Sequence, residues 1–191
     1  MCWDNYIEKG GLMPTIYLSP SLQPFNKYLM TGDEQYWMNI IADDMVPILE
    51  RNGITVRRNQ PGMTLGQAIR ESNAGNYDLH LALHSNAAPE DLKGKLQGPD
   101  VYYYPYSTRG KRAAEIIADN LRSIYPKPDL VNTVATTRLA EVIKTSAPAV
   151  LVEIAYHDNT EDEAWIRNNT AQIAQNLALS VCEFLGENCT L

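Results

Sequence analysis

Apolar positions along this chain fall into two kinds of run. Trp37, Ile40, Ile41, Met45, Ile48 and Leu49 recur at three- and four-residue steps, which predicts a helix over Asp33 to Asn52. Asp33 or Thr31 caps its start and Gly53 closes it, with Pro47 as a site of kinking. Thr64 caps a second helix over Leu65 to Ala74 that Gly75 stops. A third helix follows Ser107, from Arg109 to Ile124, with Ala113, Ile116, Ile117 and Leu121 on one face. A short helix over Glu161 to Ile166 precedes an amphipathic one over Thr170 to Leu185, whose stripe is Ile173, Leu177, Val181 and Phe184.

The second kind of run is short and rich in apolar or β-branched residues. Thr15 to Ser19, stopped by Pro20, reads as a strand, as do Ile54 to Arg57, Leu79 to Leu83, Val101 to Tyr104 and Ala149 to Ile154. Leu139 to Ile143 also reads as a short strand. Pro89 to Pro99 reads as a surface loop and Asp129 to Arg138 as irregular chain. Strands alternating with helices argue for an α/β fold: one three-layer domain with a mixed, mostly parallel sheet of about six strands flanked by helices. It spans residues 14–191, after a lead-in segment over residues 1–13. There is no internal repeat and no linker.

Composition narrows the partners. The 191 residues are 45% hydrophobic and carry a formal net charge of -7, so a nucleic acid is not an expected partner. The basic run Arg109 to Arg112 is short and reads as a solvated helix start. No apolar stretch reaches the roughly 18 residues of a membrane span, and Met1 to Met13 does not read as a secretory signal. Cys2, Cys182 and Cys189 show no CxxC spacing, so neither a disulfide framework nor a thiolate metal site is expected. Cys182 reads as a small core residue. Nothing in the pattern addresses oligomeric state.

Three polar residues stand where core logic would not place them. His84 ends the near-continuous apolar run Leu79 to Leu83, the mark of a central strand. It is either a hydrogen-bonded structural histidine or a metal ligand. Glu153 follows four apolar residues near the end of another strand, where a carboxylate must be paired, hydrated or functional. Glu34 lies in a first helical turn, which suits a carboxylate on electrostatic grounds alone. In a mainly parallel sheet, strand ends and the following helix starts share one edge, so His84, Glu153 and Glu34 can meet. One imidazole and one carboxylate on a metal, with a second carboxylate free to take a proton from water, is a hydrolytic arrangement. His80 lies about 13 Å back along the strand, too far to share a metal with His84. His157 reads as a surface histidine. There is no Gly-x-Ser-x-Gly elbow and no Gly-rich phosphate loop.

Asp78-Leu-His-Leu-Ala-Leu-His84-Ser-Asn86-Ala, with Pro148-Ala-Val-Leu-Val-Glu153-Ile-Ala-Tyr156 and Asn159 after it, resembles the zinc-dependent N-acetylmuramoyl-L-alanine amidases of the amidase-3 type. The similarity runs over about residues 15 to 186. It implies a peptidoglycan substrate met at the cell wall or outside the cell, and one zinc ion. Glu34 and His84 would be metal ligands, Glu153 the catalytic glutamate and Asn86 a substrate contact. The chain departs from the family at the first metal histidine, which belongs in a turn after the first strand. Here that turn reads Ser19-Pro20-Ser21-Leu22-Gln23, and Gln23 is the nearest residue with a ligating atom. An amide is a weaker zinc ligand than imidazole. The departure keeps a second reading open, a non-catalytic peptidoglycan-binding module that has lost the metal.

Overall fold

The computed structural model describes residues 13–191, so the expected lead-in lies, apart from Met13, outside the described residues. The chain runs β1 (Thr15–Pro20), α1 (Glu34–Arg51), β2 (Thr55–Arg58), α2 (Leu65–Ala74), β3 (Leu79–Asn86), β4 (Asp100–Tyr103), α3 (Thr108–Arg122), β5 (Asn132–Ala135), α4 (Ala140–Ile143), β6 (Ala149–Tyr156), α5 (Thr160–Asn168) and α6 (Thr170–Leu185). The six strands form one sheet in the order β2-β1-β3-β6-β4-β5. All neighbouring pairs are parallel except β4 with β6. The three-layer, mostly parallel sheet expected from the sequence is therefore present.

The pleat gives the sheet two unequal faces. Ile16 and Leu18 of β1, Leu79, Leu81 and Leu83 of β3, and Val150, Val152 and Ile154 of β6 point one way. They pack with Met38, Ile41 and Met45 of α1, Ile117 and Leu121 of α3, and Ile173 and Leu177 of α6 into the main core. On the other face stand Tyr17, Ser19, His80, Ala82, His84, Leu151 and Glu153, related to one another by the strand register. The cover there is thin. The second apolar cluster holds only Ala82, Leu151 and Val142 as buried members, with Tyr102, Tyr104 and Leu139 packed against it. The ring of Tyr17 stacks on His80 at 5.4 Å, and its hydroxyl donates to Glu71 of α2.

Local chemistry explains the helix limits. Asp33, rather than Thr31, caps α1 by accepting from the Tyr36 N–H, and Pro47 sits inside the helix without ending it. Thr64 and Gln67 form a reciprocal capping box at α2. Ser107 caps α3 by accepting from the Gly110 N–H.

Three expectations about the elements and cysteines fail. The run Leu139 to Ile143 is not a strand; from Ala140 it closes the single helical turn α4. The sixth strand is β5, inside the stretch read as irregular, which pairs with β4 from Asn132 to Ala135 at the sheet edge. An edge strand needs only one hydrogen-bonded neighbour, and β5 has no fully buried residue to give it an apolar signature. Cysteine usage is the third. Gly186 ends α6 at φ +77° and turns the chain back, bringing the Cα atoms of Cys182 and Cys189 to 5.9 Å, where a disulfide joins them. Cys182 is buried, as expected of a core residue. The bridge closes a small ring, so Cys189→Ser is expected to cost about 2 kcal/mol, largely by freeing the unfolded chain. The denaturant midpoint of oxidised wild type against the variant measures this.

Candidate active site

The cleft lies at the carboxyl ends of β1, β3 and β6, where α/β sheets gather their functional groups. Its walls come from three connections. After β1 the chain turns back, with the Ser21 N–H donating to the Leu83 carbonyl and the Ser21 hydroxyl accepting from the Gln23 N–H. The Asn26 carbonyl then accepts from the Glu34 N–H at 2.9 Å. This closes the loop so that Gln23, Asn26 and the first residue of α1 come together. Asn59 to Leu65, leading into α2, make the second wall, and Leu139 to Glu141 the third. The cleft has a volume of about 520 Å³.

At its floor, His84 and Glu153 are register partners on neighbouring strands and therefore share a face. A bulge in β3 follows immediately, between His84 and Asn86, a common device for re-aiming residues beside a site. His84 Nδ1 is 2.7 Å from Glu34 Oε1 and 3.3 Å from the Gln23 side-chain nitrogen. That nitrogen is in turn 3.5 Å from Glu34 Oε1. The other carboxylate oxygen of Glu34 accepts from Asn26, and Glu34 is buried. The structure thus brings Gln23, Glu34, His84 and Glu153 to one place. Asn86 is not brought in; its side chain turns to accept from the Ala87 N–H and does not line the cleft.

Two residues have places the sequence pattern missed. Glu141, in α4, is buried and accepts from His84 Nε2 at 3.1 Å, His80 Nε2 at 3.3 Å and the Ser19 hydroxyl. His80 is too far from the cleft floor to share an ion with His84, yet one carboxylate spans the two rings. The signal was a glutamate inside an apolar run, the anomaly that also marks Glu153. His157 is not at the surface; it is buried, stacked against Tyr28 at 5.3 Å, with Nδ1 3.0 Å from both the hydroxyl and the carbonyl of Ser85.

The charges are unevenly matched. Burial alone would lower the His84 pKa, but hydrogen bonds to Glu141 and Glu34 raise it well above the usual imidazole value. Burial would raise Glu34 and Glu141, and their bonds to histidine hold both below the usual carboxylate range instead. Glu153 has no such partner. Burial lifts it to about 7, opposed by His84 and assisted by the negative charges of Glu34, Asp100 and Glu141. Its Oε2 is buried without a hydrogen bond.

A zinc ion with nitrogen and oxygen ligands at about 2.0–2.1 Å in a tetrahedron sets those ligands about 3.3 Å apart. The Gln23 side-chain nitrogen, Glu34 Oε1 and His84 Nδ1 are separated by 2.7, 3.3 and 3.5 Å, a triangle near that size with its His84–Glu34 edge at hydrogen-bond length. Among the described residues no three His, Cys, Asp or Glu side chains form a metal site by themselves; here the third donor is an amide. As placed, Gln23 turns its nitrogen inward because its oxygen accepts from Asn26 at 3.2 Å. Half a turn of the amide presents the oxygen, at the cost of that hydrogen bond, about 1 kcal/mol.

Residues 30–183 match the family model described as N-acetylmuramoyl-L-alanine amidase. Solved structures of similar fold include the N-acetylmuramoyl-L-alanine amidase AmiC2 of Nostoc punctiforme, at 20% identity and a TM-score of 0.79, covering 93% of this chain and 99% of that one. An N-acetylmuramoyl-L-alanine amidase of Clostridium difficile 630 matches at 16% identity and a TM-score of 0.79, over 91% of this chain and 97% of its own. The catalytic domain of the CD27L endolysin, which targets Clostridia difficile, matches at 23% identity and a TM-score of 0.73, over 94% and 100%. At these identities the likeness is one of fold. No curated protein sequence matches the chain.

Proposed function

The chain belongs to the N-acetylmuramoyl-L-alanine amidase family, and from that premise we propose that it hydrolyses the amide between the muramic acid lactyl group and L-alanine of peptidoglycan, with one zinc ion held by Glu34, His84 and Gln23. The observation that carries the reading is the convergence of those three side chains beside a half-buried carboxylate, Glu153, whose buried Oε2 has no hydrogen-bond partner. Three carboxylates, Glu34, Glu141 and Glu153, surround the His84 imidazole, an imbalance a cation relieves. Zinc supplies Lewis-acid polarisation of a carbonyl and lowers the pKa of water.

The chain's own residues do the rest. Glu153, with a pKa of about 7, is poised to accept a proton near neutral pH. It takes the proton of the attacking water as the carbon–oxygen bond forms. It then delivers that proton to the leaving nitrogen as the carbon–nitrogen bond breaks, giving a lactyl carboxylate and a free L-alanine amine. The cleft walls are largely apolar, with Leu22, Phe25, Met63, Leu65 and Leu139 around the polar floor, which limits water around the reacting amide.

Digestion of purified peptidoglycan should release new L-alanine amino termini without new reducing sugar ends. A chelator should stop the release, and zinc should restore it. Binding to the wall without release, with or without added zinc, would instead favour the non-catalytic binding module that Gln23, standing in place of a histidine, keeps in view.

A further inference from the structure

We propose that Glu141 is a positioning residue for the metal centre: it fixes the His84 ring so that Nδ1, not Nε2, faces Gln23 and Glu34. The proposal rests on the metal reading above. A buried carboxylate needs several donors to be tolerated, and Glu141 has three. One oxygen takes the Ser19 hydroxyl and the Nε2 of His80, and the other takes the Nε2 of His84. The far nitrogen of His80 is 2.9 Å from the Ser72 hydroxyl in α2. A continuous rail therefore runs from α2 through His80 and Glu141 to His84, beneath the thinly covered sheet face. His80 and Ser19 hold the carboxylate, and the carboxylate holds the ring.

The chemistry follows from which nitrogen carries hydrogen. A carboxylate only accepts, and one faces each ring nitrogen of His84, so both nitrogens bear hydrogen while Nδ1 is bonded to Glu34. Were a cation to take the place of the Nδ1 hydrogen between Glu34 and Gln23, the hydrogen facing Glu141 would be the one that stays. Nδ1 is the atom within 2.7 Å of Glu34 and 3.3 Å of Gln23. A carboxylate behind a ligating imidazole fixes its tautomer and increases its donor strength, and losing one typically costs 10- to 100-fold in metal affinity. This chain, with an amide among its three donors, depends the more on the one imidazole it has.

The test is Glu141→Gln, which keeps the shape of the side chain. Its amide oxygen can serve Ser19 and His80, but its NH2 then faces His84 Nε2 and demands an acceptor there, driving the ring hydrogen to Nδ1. The expected result is a protein with an unchanged circular dichroism spectrum whose zinc affinity, by competition with a chelating dye, falls about 10- to 100-fold. Zinc affinity equal to wild type would overturn the proposal. Long-range proton–nitrogen NMR of the wild type gives a second reading that needs no variant. The zinc-loaded protein should show hydrogen on Nε2 of His84, and hydrogen on Nδ1 would overturn the assignment. A wild type that takes up no zinc at all sinks the metal reading, and this proposal with it, before any variant is made. Zinc uptake by wild type with no effect of Glu141→Gln sinks this proposal alone.

Discussion

Glu153→Gln should abolish amide cleavage and, in the same protein, raise stability at pH 8. Removing a general base typically costs 10²- to 10⁴-fold in rate, which here takes product release below detection in an ordinary assay. The stability gain comes from the environment that makes the residue useful. Burial raises its pKa in the folded protein from 4.5 to about 7. Below pH 4.5 the side chain is protonated in both states and contributes nothing. Between those two values the unfolded chain releases the proton and the folded chain keeps it, so stability falls as pH rises, by about 1.4 kcal/mol per unit. Above pH 7 the loss is complete, about 3–4 kcal/mol, and glutamine avoids it. Melting curves of the metal-free proteins at pH 5 and pH 8 check this. Glu153→Gln should melt several degrees higher at pH 8 and nearly level with wild type at pH 5. Equal melting at both pH values would mean the carboxylate is solvated in the native state, and retained cleavage would remove Glu153 from the mechanism.

The second large effect concerns the amide ligand. Gln23→His is expected to raise zinc affinity about tenfold or more, because imidazole is the better zinc donor. The histidine also escapes the cost of pulling the glutamine oxygen away from Asn26, about 1 kcal/mol or roughly a factor of five. Gln23→Ala should move the other way, leaving two protein ligands where hydrolytic zinc sites ordinarily have three. Competition titration against a chelator at fixed pH measures both. No change in either variant would place the metal away from residue 23, since the side chain stands 3.3 Å from His84 Nδ1 and no substitution there could leave a bound ion untouched.

Elements whose residues repeat were plain from sequence. The apolar stripe of α6 and the N-cap at Thr64 appear where periodicity and cap chemistry place them. Those that failed have no period to read. The helix α4 is one turn long, too short for a 3.6-residue stripe to show, and its apolar letters imitate a strand. The strand β5 is at the sheet edge with only partly buried residues. Its existence is decided by β4 beside it, which no local window contains. The disulfide depends on a left-handed Gly186 reversing the chain just past a helix end. The candidate site divides the same way. His84, Glu153 and Glu34 stood out as charged or polar residues against their local pattern. Glu141 broke its pattern too, but a strand reading of its segment gave it no place above the face that His80 and His84 share. Its contact with His80 and His84 exists only after α4 folds over the face they share.

The unequal covering of the two sheet faces has a consequence for how this sequence can drift. The thick side, under α1, α3 and α6, holds nearly all the aliphatic packing, so replacements there meet cavity and strain costs at once. The thin side carries the polar floor and the connections at Phe25, Met63 and Leu139 that border it. Exchanges among those bordering residues trade against little buried area. The packing that holds the fold and the lining of the cleft thus lie on opposite sides of one sheet, so the second can be altered at less cost to stability than the first.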